Sequence, residues 1–351
     1  MVESTKAQEV KKISFLERKN IEFSLKRYGI DALGYMAQGL FGSLIVGLIL
    51  KVIGEKLGIP FLVEKVWPLA SQMTGPAIAV AVAYGLQAPP LVLFASTITG
   101  IAGGQLGGPV GAFIAAVVGA EFGKAVSKET KIDIIVTPAV TIITGSLAGI
   151  FVGPGVAAFM KGFGQLIMYA TELQPIPMGI LVSVLVGVAL TLPISSAALC
   201  IMLQLGGIAA GAATVGCCCQ MIGFAVSSYR ENKVGGLLAQ GLGTSMLQIP
   251  NIVKNPKIWI PPTLASAILG PLATTVLRME NIPAGAGMGT SGLVGQFGTI
   301  AAMEAAGLGG PGLYVKILLL HFILPAALSL LFSEFMRKKG LIKYGDMKLD
   351  L

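Results

Sequence analysis

The chain has 351 residues, of which 54% are hydrophobic and only 12% are charged. Soluble domains carry about 25% charged residues, so this chain has too few charges to cover a water-exposed surface. The composition excludes an ordinary soluble enzyme and predicts an all-α, polytopic transmembrane bundle. The formal net charge of +8 comes from basic residues that flank apolar stretches. That pattern is typical of cytoplasmic membrane loops and does not indicate nucleic-acid binding.

The apolar stretches predict about ten membrane spans and two re-entrant loops. The third and fourth stretches form either two crossings or one re-entrant hairpin. The Lys and Arg residues of segments 1–29 and 337–351 predict that both ends of the chain are cytoplasmic, which requires an even number of crossings. We therefore expect a multi-pass protein of the inner or plasma membrane that contacts membrane lipids. The predicted spans are 32–52, 67–84, 90–102, 109–123, 133–150, 153–170, 178–203, 206–228, 258–277 and 313–335.

The N-terminal segment also shows helical spacing of apolar residues. Ile13, Leu16 and Phe23 stand on one face of a helix over 13–25, among Lys and Glu. This segment is either an interfacial helix on the cytoplasmic leaflet or a solvated leader.

Two apolar stretches are too rich in glycine for ordinary membrane helices. Residues 234–250 contain four glycines, and residues 283–307 have glycine at every second or third position from 285 to 298. Non-helical backbone inside a membrane is tolerated only where it packs in protein or lines a wet cavity. We predict that both stretches are re-entrant loops beside a solute site.

A short internal repeat supports this interpretation. The run GPVGAF at 108–113 recurs as GLVGQF at 292–297, each after a glycine-rich approach. Related broken segments in two halves of a chain indicate a transporter repeat. The alternative is that both runs are small-residue faces for helix packing.

Neutral polar residues near the broken segments are candidates for binding a hydroxylated solute. Pro193 should open its helix and free a carbonyl next to Ser195 and Ser196. Some of the hydroxyls instead hydrogen-bond helices together. The candidates are Asn281, Thr290, Ser291 and Gln296 in one loop, Thr244, Ser245, Gln248 and Asn251 in the other, and Ser195, Ser196 and Gln220 between them.

Two ionisable residues fall in or near predicted membrane segments. Glu304 either binds solute hydroxyls or a proton, or lies at a helix end beside Gly307. His321, the single histidine, either relays protons or binds solute, or bonds to a neighbouring helix. Both belong to the predicted solute site in one of their two interpretations.

Other chemistry is not expected. No Gly-x-x-x-x-Gly-Lys-Ser/Thr run is present for ATP binding, and one histidine cannot build a His-rich metal centre. Consecutive cysteines on a helix point about 100° apart, so packing explains Cys217 to Cys219 better than a metal or redox site. We expect no cofactor, no metal and no catalytic activity.

Four runs resemble a known family. They are TLPISSAA (191–198), GAATVGCCCQMIGFAVSSYREN (211–232), QGLGTSMLQIPNI (240–252) and NIPAGAGMGTSGLVGQFG (281–298). Together they resemble enzyme IIC-like membrane proteins of the phosphotransferase system, in the perfringolysin-regulator branch. The sugar-type members carry a Glu in a Gly-Ile-Thr-Glu-Pro type motif that this chain lacks.

The resemblance implies a homodimeric sugar permease. It implies a scaffold and dimer region at 30–175, a solute-binding region at 176–336, and separate cytoplasmic IIA and IIB partners. The expected function is transport of a small polar solute, a sugar or a related hydroxylated compound. The alternative is a sensor or regulator that binds such a solute without moving it.

Overall fold

The computed structural model describes residues 14–349, and every regular element in that range is helical. The predicted all-α polytopic bundle is confirmed. Five of the described helices are long and apolar enough to cross a membrane, and a sixth results if two helices that meet at a 47° bend count as one span. The other predicted crossings correspond to shorter helices that end at chain breaks.

The part of the chain predicted as a scaffold (30–175, called the first region) starts within a nearly continuous helix over 27–57. Its π-helical turns Arg27–Ala32 and Phe41–Ile45 adjoin α-helical segments, and a third π-turn, Phe61–Val66, leads into the bent pair. The α-helices up to residue 171 are α1 (Phe15–Arg18), α2 (Leu33–Leu40), α3 (Val46–Leu57), α4 (Trp67–Gln72), α5 (Thr74–Gly85), α6 (Pro90–Val126) and α7 (Asp133–Thr171).

Helix α6 is a hairpin that reverses direction at Gly108. Gly108 has φ 56° and ψ −149°, which glycine adopts without steric cost, and Pro109 starts the returning limb. A Cβ on Gly103 would collide with the carbonyl of Gly111, so the two limbs are in close contact where these glycines face each other. Both predictions for the third and fourth stretches require antiparallel limbs, and the returning limb, Gly107–Val126, is by itself long and apolar enough to cross a membrane.

Helix α7 corrects the prediction of separate spans at 133–150 and 153–170. It runs through Pro154 as one helix of 39 residues. Glycines of this helix serve helix packing, since a Cβ on Gly149 would lie 2.8 Å from Cα of Gly103. Membrane helices tolerate an internal proline where neighbours satisfy the freed backbone.

The second region (176–336) surrounds α10, whose residues are almost all buried. Its predicted span 178–203 is broken, because the chain leaves the helix at Leu192 and re-enters one at Ser196, as Pro193 predicted. The α-helices are α8 (Pro175–Thr191), α9 (Ser196–Met202), α10 (Gly207–Ser227), α11 (Tyr229–Leu238), α12 (Ile249–Lys254), α13 (Ile260–Pro271), α14 (Pro283–Ala286), α15 (Val294–Ala305), α16 (Pro311–Leu318) and α17 (Leu324–Lys338).

Shorter helical turns join these elements. The π-turn Leu319–Ile323 makes one continuous helix of α16 and α17. The others are the π-turns Ala239–Gly243 and Leu272–Val276 and the 3-10 turns Ser245–Gln248, Pro256–Trp259 and Ser291–Leu293.

Both described ends of the chain lie at the same end of the molecule. Lys348 and Leu349 line a cavity together with Ile30 and Asp31. This shared position agrees with the predicted even number of crossings. The basic loop at 124–131 lies at the same end, since Glu129 pairs with Arg18. The basic segment at 229–233 lies there too, since Asn232 Nδ2 donates to the Met347 carbonyl at 2.8 Å.

The N-terminal segment differs from the predicted helix over 13–25. Ile13 lies outside the described residues, and only one turn, α1, is helical. Arg18 and Lys19 pair with Glu129, and the hydrogen bond from Lys19 holds the pKa of that carboxyl below its usual range. The segment therefore docks on the loop after α6, which a sequence pattern could not reveal.

Candidate functional site

Two cavities of the described residues bear on the site, and the larger of them lies where three chain breaks meet. The breaks are the bend at Met73, the hairpin turn at Gly108 and the non-helical stretch that ends at Ser195. The cavity has a volume of about 650 Å³, which is large enough for a sugar. None of its lining residues is charged. Its polar lining residues are Ser71, Gln72, Thr74, Gln105 and Ser195.

Four of those five polar residues were not predicted from the sequence. Gln105 stands alone in an apolar stretch and Gln72 lies in a short polar run far from it in sequence, so only the folded chain brings them together with Ser195. One available signal was the position of Gln105, three residues before the glycine that opens the first copy of the repeat.

The second hairpin (residues 281–305) reaches the middle of α10 and returns. Asn281 pairs with Gly207 at the start of α10, and Gly289 packs on Cys217 near its centre. The chain then runs back, so that a Cβ on Gly298 would lie 3.2 Å from Cα of Gly285. This is the path predicted for a re-entrant segment.

The glycine loop (residues 239–248) approaches from the other end of α10. A Cβ on Gly241 would lie 3.6 Å from side-chain atoms of Ile222 and Ala225. Gly241 also accepts a hydrogen bond from the hydroxyl of Thr290, at the tip of the second hairpin. The two glycine-rich stretches therefore meet tip to tip inside the second region.

Both copies of the internal repeat lie at hairpin tips. The backbone of Gly292 has a positive φ of 53°, as the backbone of Gly108 also has a positive φ. Gly295 packs on Gly289 in the second hairpin, as Gly111 packs on Gly103 in the first. The structure thus gives the two runs the same local role.

Polar side chains on the second hairpin fall into two groups. Asn281 holds the hairpin together, donating to Thr214 Oγ1 at 2.6 Å and to the Gly295 carbonyl at 2.9 Å. Ser196 ties α9 to the hairpin by donating to the Gly287 carbonyl at 2.7 Å. These two predicted residues position the tip.

The other group has buried polar atoms without a protein partner. Gln296 Nε2 and His321 Nδ1 lie 3.1 Å apart, and Gln296 also donates to the sulfur of Cys218. Gln296 Oε1, His321 Nε2, Ser291 Oγ and Thr299 Oγ1 are buried and bond to no described residue. Buried polar groups are normally satisfied, so this cluster is where a ligand, a proton or water is expected to bind.

Gln248 and Asn251 lie away from the second hairpin. Gln248 donates to the Met347 carbonyl at 3.0 Å and Asn251 to the Lys348 carbonyl at 2.8 Å. Asn251 also lines the smaller cavity, of about 310 Å³, beneath the C-terminal tail. The structure places these two predicted site residues at the tail rather than with Gln296.

Glu304 and the polar residues on intervening helices have other surroundings. Glu304 is exposed at the end of α15, against Gly309, as its helix-end interpretation predicted. Gln220 accepts from Trp259 and Thr191, and Thr191 bonds to Ser245. Gln220 and Ser245 therefore belong to a satisfied network between helices.

The three consecutive cysteines pack between helices. Cys217 Sγ approaches the carbonyls of Val186 and Ala286, and Cys218 accepts from Gln296. All three are fully buried. Their positions match the packing interpretation.

The family model described as "Phosphotransferase system, EIIC" matches residues 30–349. The chain therefore belongs to this family of membrane-embedded components of sugar-type phosphotransferase transporters. Membership implies a multi-pass plasma-membrane protein that works with a solute and with cytoplasmic IIA and IIB proteins. No curated protein and no solved structure matches the chain. The perfringolysin-regulator branch stays a prediction.

Proposed function

We propose that this protein moves a small neutral hydroxylated solute, a sugar or a related compound, along the seam between its two regions. The seam is the surface where helix 27–57, α5 and α6 meet residues 192–203 and 239–254. One observation carries the proposal: both cavities lie on this seam, on either side of the contact between Phe41 and Gly243.

The helix over 27–57 contributes to both cavities. Gln38 lines the smaller cavity and Leu44 lines the larger. These residues are separated by about 9 Å of helix rise. A membrane protein with two cavities this close on one seam needs only a short barrier to open for a solute to pass.

That barrier is formed by the helix over 27–57 and the glycine loop. The ring of Phe41, which lies between Gln38 and Leu44, packs directly on Gly243 of the glycine loop. The second hairpin holds that loop through the bond from Thr290 to Gly241, and its Gly292 packs farther along the helix, on Ile49. Leu40 and Met246 are buried in the same cluster. Because both tips belong to the second region, a shift of that region against the first would open the barrier.

The chemistry of the larger cavity favours a neutral, hydroxyl-rich solute. Gln72 and Gln105 each offer a donor and an acceptor, and Ser195 adds a hydroxyl. Thr290, Ser291 and the Gln296–His321 pair are proposed to contact the solute as it passes the tips. The charge-free lining disfavours carboxylates and sugar phosphates as the transported species.

The orientation and the assembly state are part of the proposal. Basic residues at the end that holds both described termini favour a cytoplasmic location for that end. Helix α7 exposes large apolar residues such as Leu147, Phe151 and Phe159, which supports a homodimer contact or lipid contact along the first region. Cross-linking of a cysteine placed at Phe151 in native membranes would distinguish the two.

The test is uptake of labelled sugars into proteoliposomes, with and without phosphorylated IIA and IIB proteins. Accumulation or exchange supports transport. Binding without exchange under every imposed gradient supports the alternative, a solute sensor, because a sensor needs differential binding but no passage.

A further inference from the structure

The C-terminal tail (residues 341–349) is held by side chains of the second region rather than by a helix or sheet of its own. It follows α17 after Gly340, which has a positive φ of 71°, and it runs through a series of turns. Backbone groups that do not bond within a helix or sheet need other partners. Side chains between residues 231 and 255 supply several of those partners.

Five polar side chains form a dock for this tail. Asn232 bonds to the tail backbone twice: its Nδ2 donates to the Met347 carbonyl at 2.8 Å, and its Oδ1 accepts from the Leu349 N–H at 2.8 Å. A side-chain amide that donates and accepts in this way bonds to a peptide backbone as a neighbouring strand does. The dock consists of Glu231, Asn232, Gln248, Asn251 and Asn255.

Asn255 and Glu231 hold the earlier part of the tail. Asn255 Nδ2 donates to the Leu341 carbonyl at 3.2 Å and to Asp346 Oδ2 at 2.7 Å. Glu231 Oε1 accepts from the Gly345 N–H at 3.3 Å. Because most of the bonds made by the dock go to backbone atoms, its chemistry suits a peptide segment rather than a small solute.

The same tail reaches across the seam to the first region. Lys348 and Leu349 line the smaller cavity together with Ile30. Met347 is 1% exposed and belongs to a buried apolar cluster that both regions share. The tail is therefore bonded to the second region and packed against the first.

Helix α12 closes the seam beside the tail. A Cβ on Gly34 would lie 3.3 Å from Cγ of Pro250, so α12 packs directly on the start of the helix over 27–57. Pro250 and Leu349 line the same cavity, which places the tail next to this contact. Because the dock belongs to the second region, a shift of that region pulls the tail away from its contacts with the first.

The tail can detach while the helices stay folded. Of residues 341–349, two are buried, Ile342 and Met347, whereas Tyr344 is 75% exposed. Segments with few buried apolar side chains and no regular secondary structure open at a lower free energy than the core of a protein.

We propose that the dock is a peptide-binding site whose occupant, the chain's own C-terminal tail, latches the seam at the end of the molecule that holds both described termini. With the tail in the dock, the second region is held against the first. When the tail leaves, that region is free to shift. The latch rests on the proposed movement of the second region, but release of the tail and movement of the regions are both measured without transport.

Release of the tail is measured on the full chain by a cysteine at Met347, because the four native cysteines are buried. Asn232→Ala removes two hydrogen bonds to the tail backbone. The rate of labelling by a membrane-impermeant maleimide should therefore rise about tenfold or more. A cysteine at the exposed Tyr344 is the control and should label at the same rate with and without Asn232→Ala. Equal labelling at Met347 in both backgrounds would overturn the dock.

Movement of the regions is measured by the distance between spin labels on cysteines at Lys131 and Lys257 in nanodiscs. Both positions are exposed, one before α7 in the first region and the other after α12 in the second. We expect Asn232→Ala to increase the population with a changed distance. Met347→Ala, which leaves every dock side chain in place, should do the same, and the control Tyr344→Ala should not.

The outcomes separate the latch from transport. Faster release of the tail together with a changed distance distribution supports the latch. Faster release with an unchanged distribution overturns it, because the tail then leaves without freeing the second region. A changed distribution without solute exchange in proteoliposomes supports the latch and refutes transport.

Discussion

The hydroxyl of Thr290 donates a hydrogen bond to the backbone carbonyl of Gly241, joining two broken segments that approach from opposite ends of α10. Both groups are buried. The bond therefore fixes where the second hairpin and the glycine loop meet, and hence where the barrier between the cavities lies.

Replacing Thr290 by Val keeps the shape of the side chain and leaves the Gly241 carbonyl unpaired. We expect a loss of about 1–3 kcal/mol of stability, measured by denaturant unfolding in detergent. Thr290→Ser keeps the donor and should stay close to wild type. Equal stability of the Val variant and the wild type would show that the tips are held by packing alone.

Small residues on α10 are required for its close approach to α8. A Cβ on Gly216 would lie 2.5 Å from the carbonyl carbon of Ser183, which is backbone and cannot yield cheaply. Gly216→Ala should therefore destabilise the protein by about 1–3 kcal/mol or more. Gly162→Ala on α7 is the control, since nothing lies within 4 Å of its added methyl. Unchanged melting temperatures in both variants would refute this packing.

Solute binding should depend on the larger cavity. A ligand present at about 100 times its dissociation constant stabilises a protein by about 2.7 kcal/mol, so a thermal-shift screen against sugars should reveal it. We expect Gln105→Leu to abolish the shift, and Gln296→Ala to weaken it. Glu304→Gln should retain it, because Glu304 is exposed and lines neither cavity. The reverse pattern would move the site to the end of α15.

The C-terminal tail should control access to the smaller cavity. Met347 is 1% exposed, and the amides of Gln248 and Asn251 hold the tail backbone over that cavity. Truncation after Asp346 should speed the reaction of a cysteine at Gln38 with a membrane-impermeant maleimide by about tenfold. A cysteine at Gln105, in the other cavity, should not respond. An unchanged rate at Gln38 would mean that the tail is not a cover.

The broken segments could be predicted because glycine and proline favour breaks in a helix wherever they occur in the sequence. Gly108 and Gly292 open repeated runs, and both are hairpin turns in the structure. Pro193 likewise predicted the gap between α8 and α9. These chain breaks depend on the residue at the break itself, so they can be predicted from a single sequence.

Features that depend on distant contacts were not predictable. Gln72 and Gln105 acquire a role only because α4 and the α6 hairpin meet at Ser195. The spans 133–150 and 153–170 were predicted as separate, and only the folded chain, in which Gly149 packs on Gly103, shows one long helix there. Gln248 and Asn251 have side chains suited to binding a solute, yet their amides donate hydrogen bonds to the backbone of the C-terminal tail.

The central claim is that the solute moves along the seam when the second region shifts against the first. Cysteines at Phe41 and Gly243, which pack on each other, can be joined by a short thiol cross-linker, and the four native cysteines are buried. We predict that the cross-linked protein in proteoliposomes still binds sugar but loses exchange, and that each single cysteine variant treated alike keeps it. Exchange at an undiminished rate across the locked seam would contradict the account.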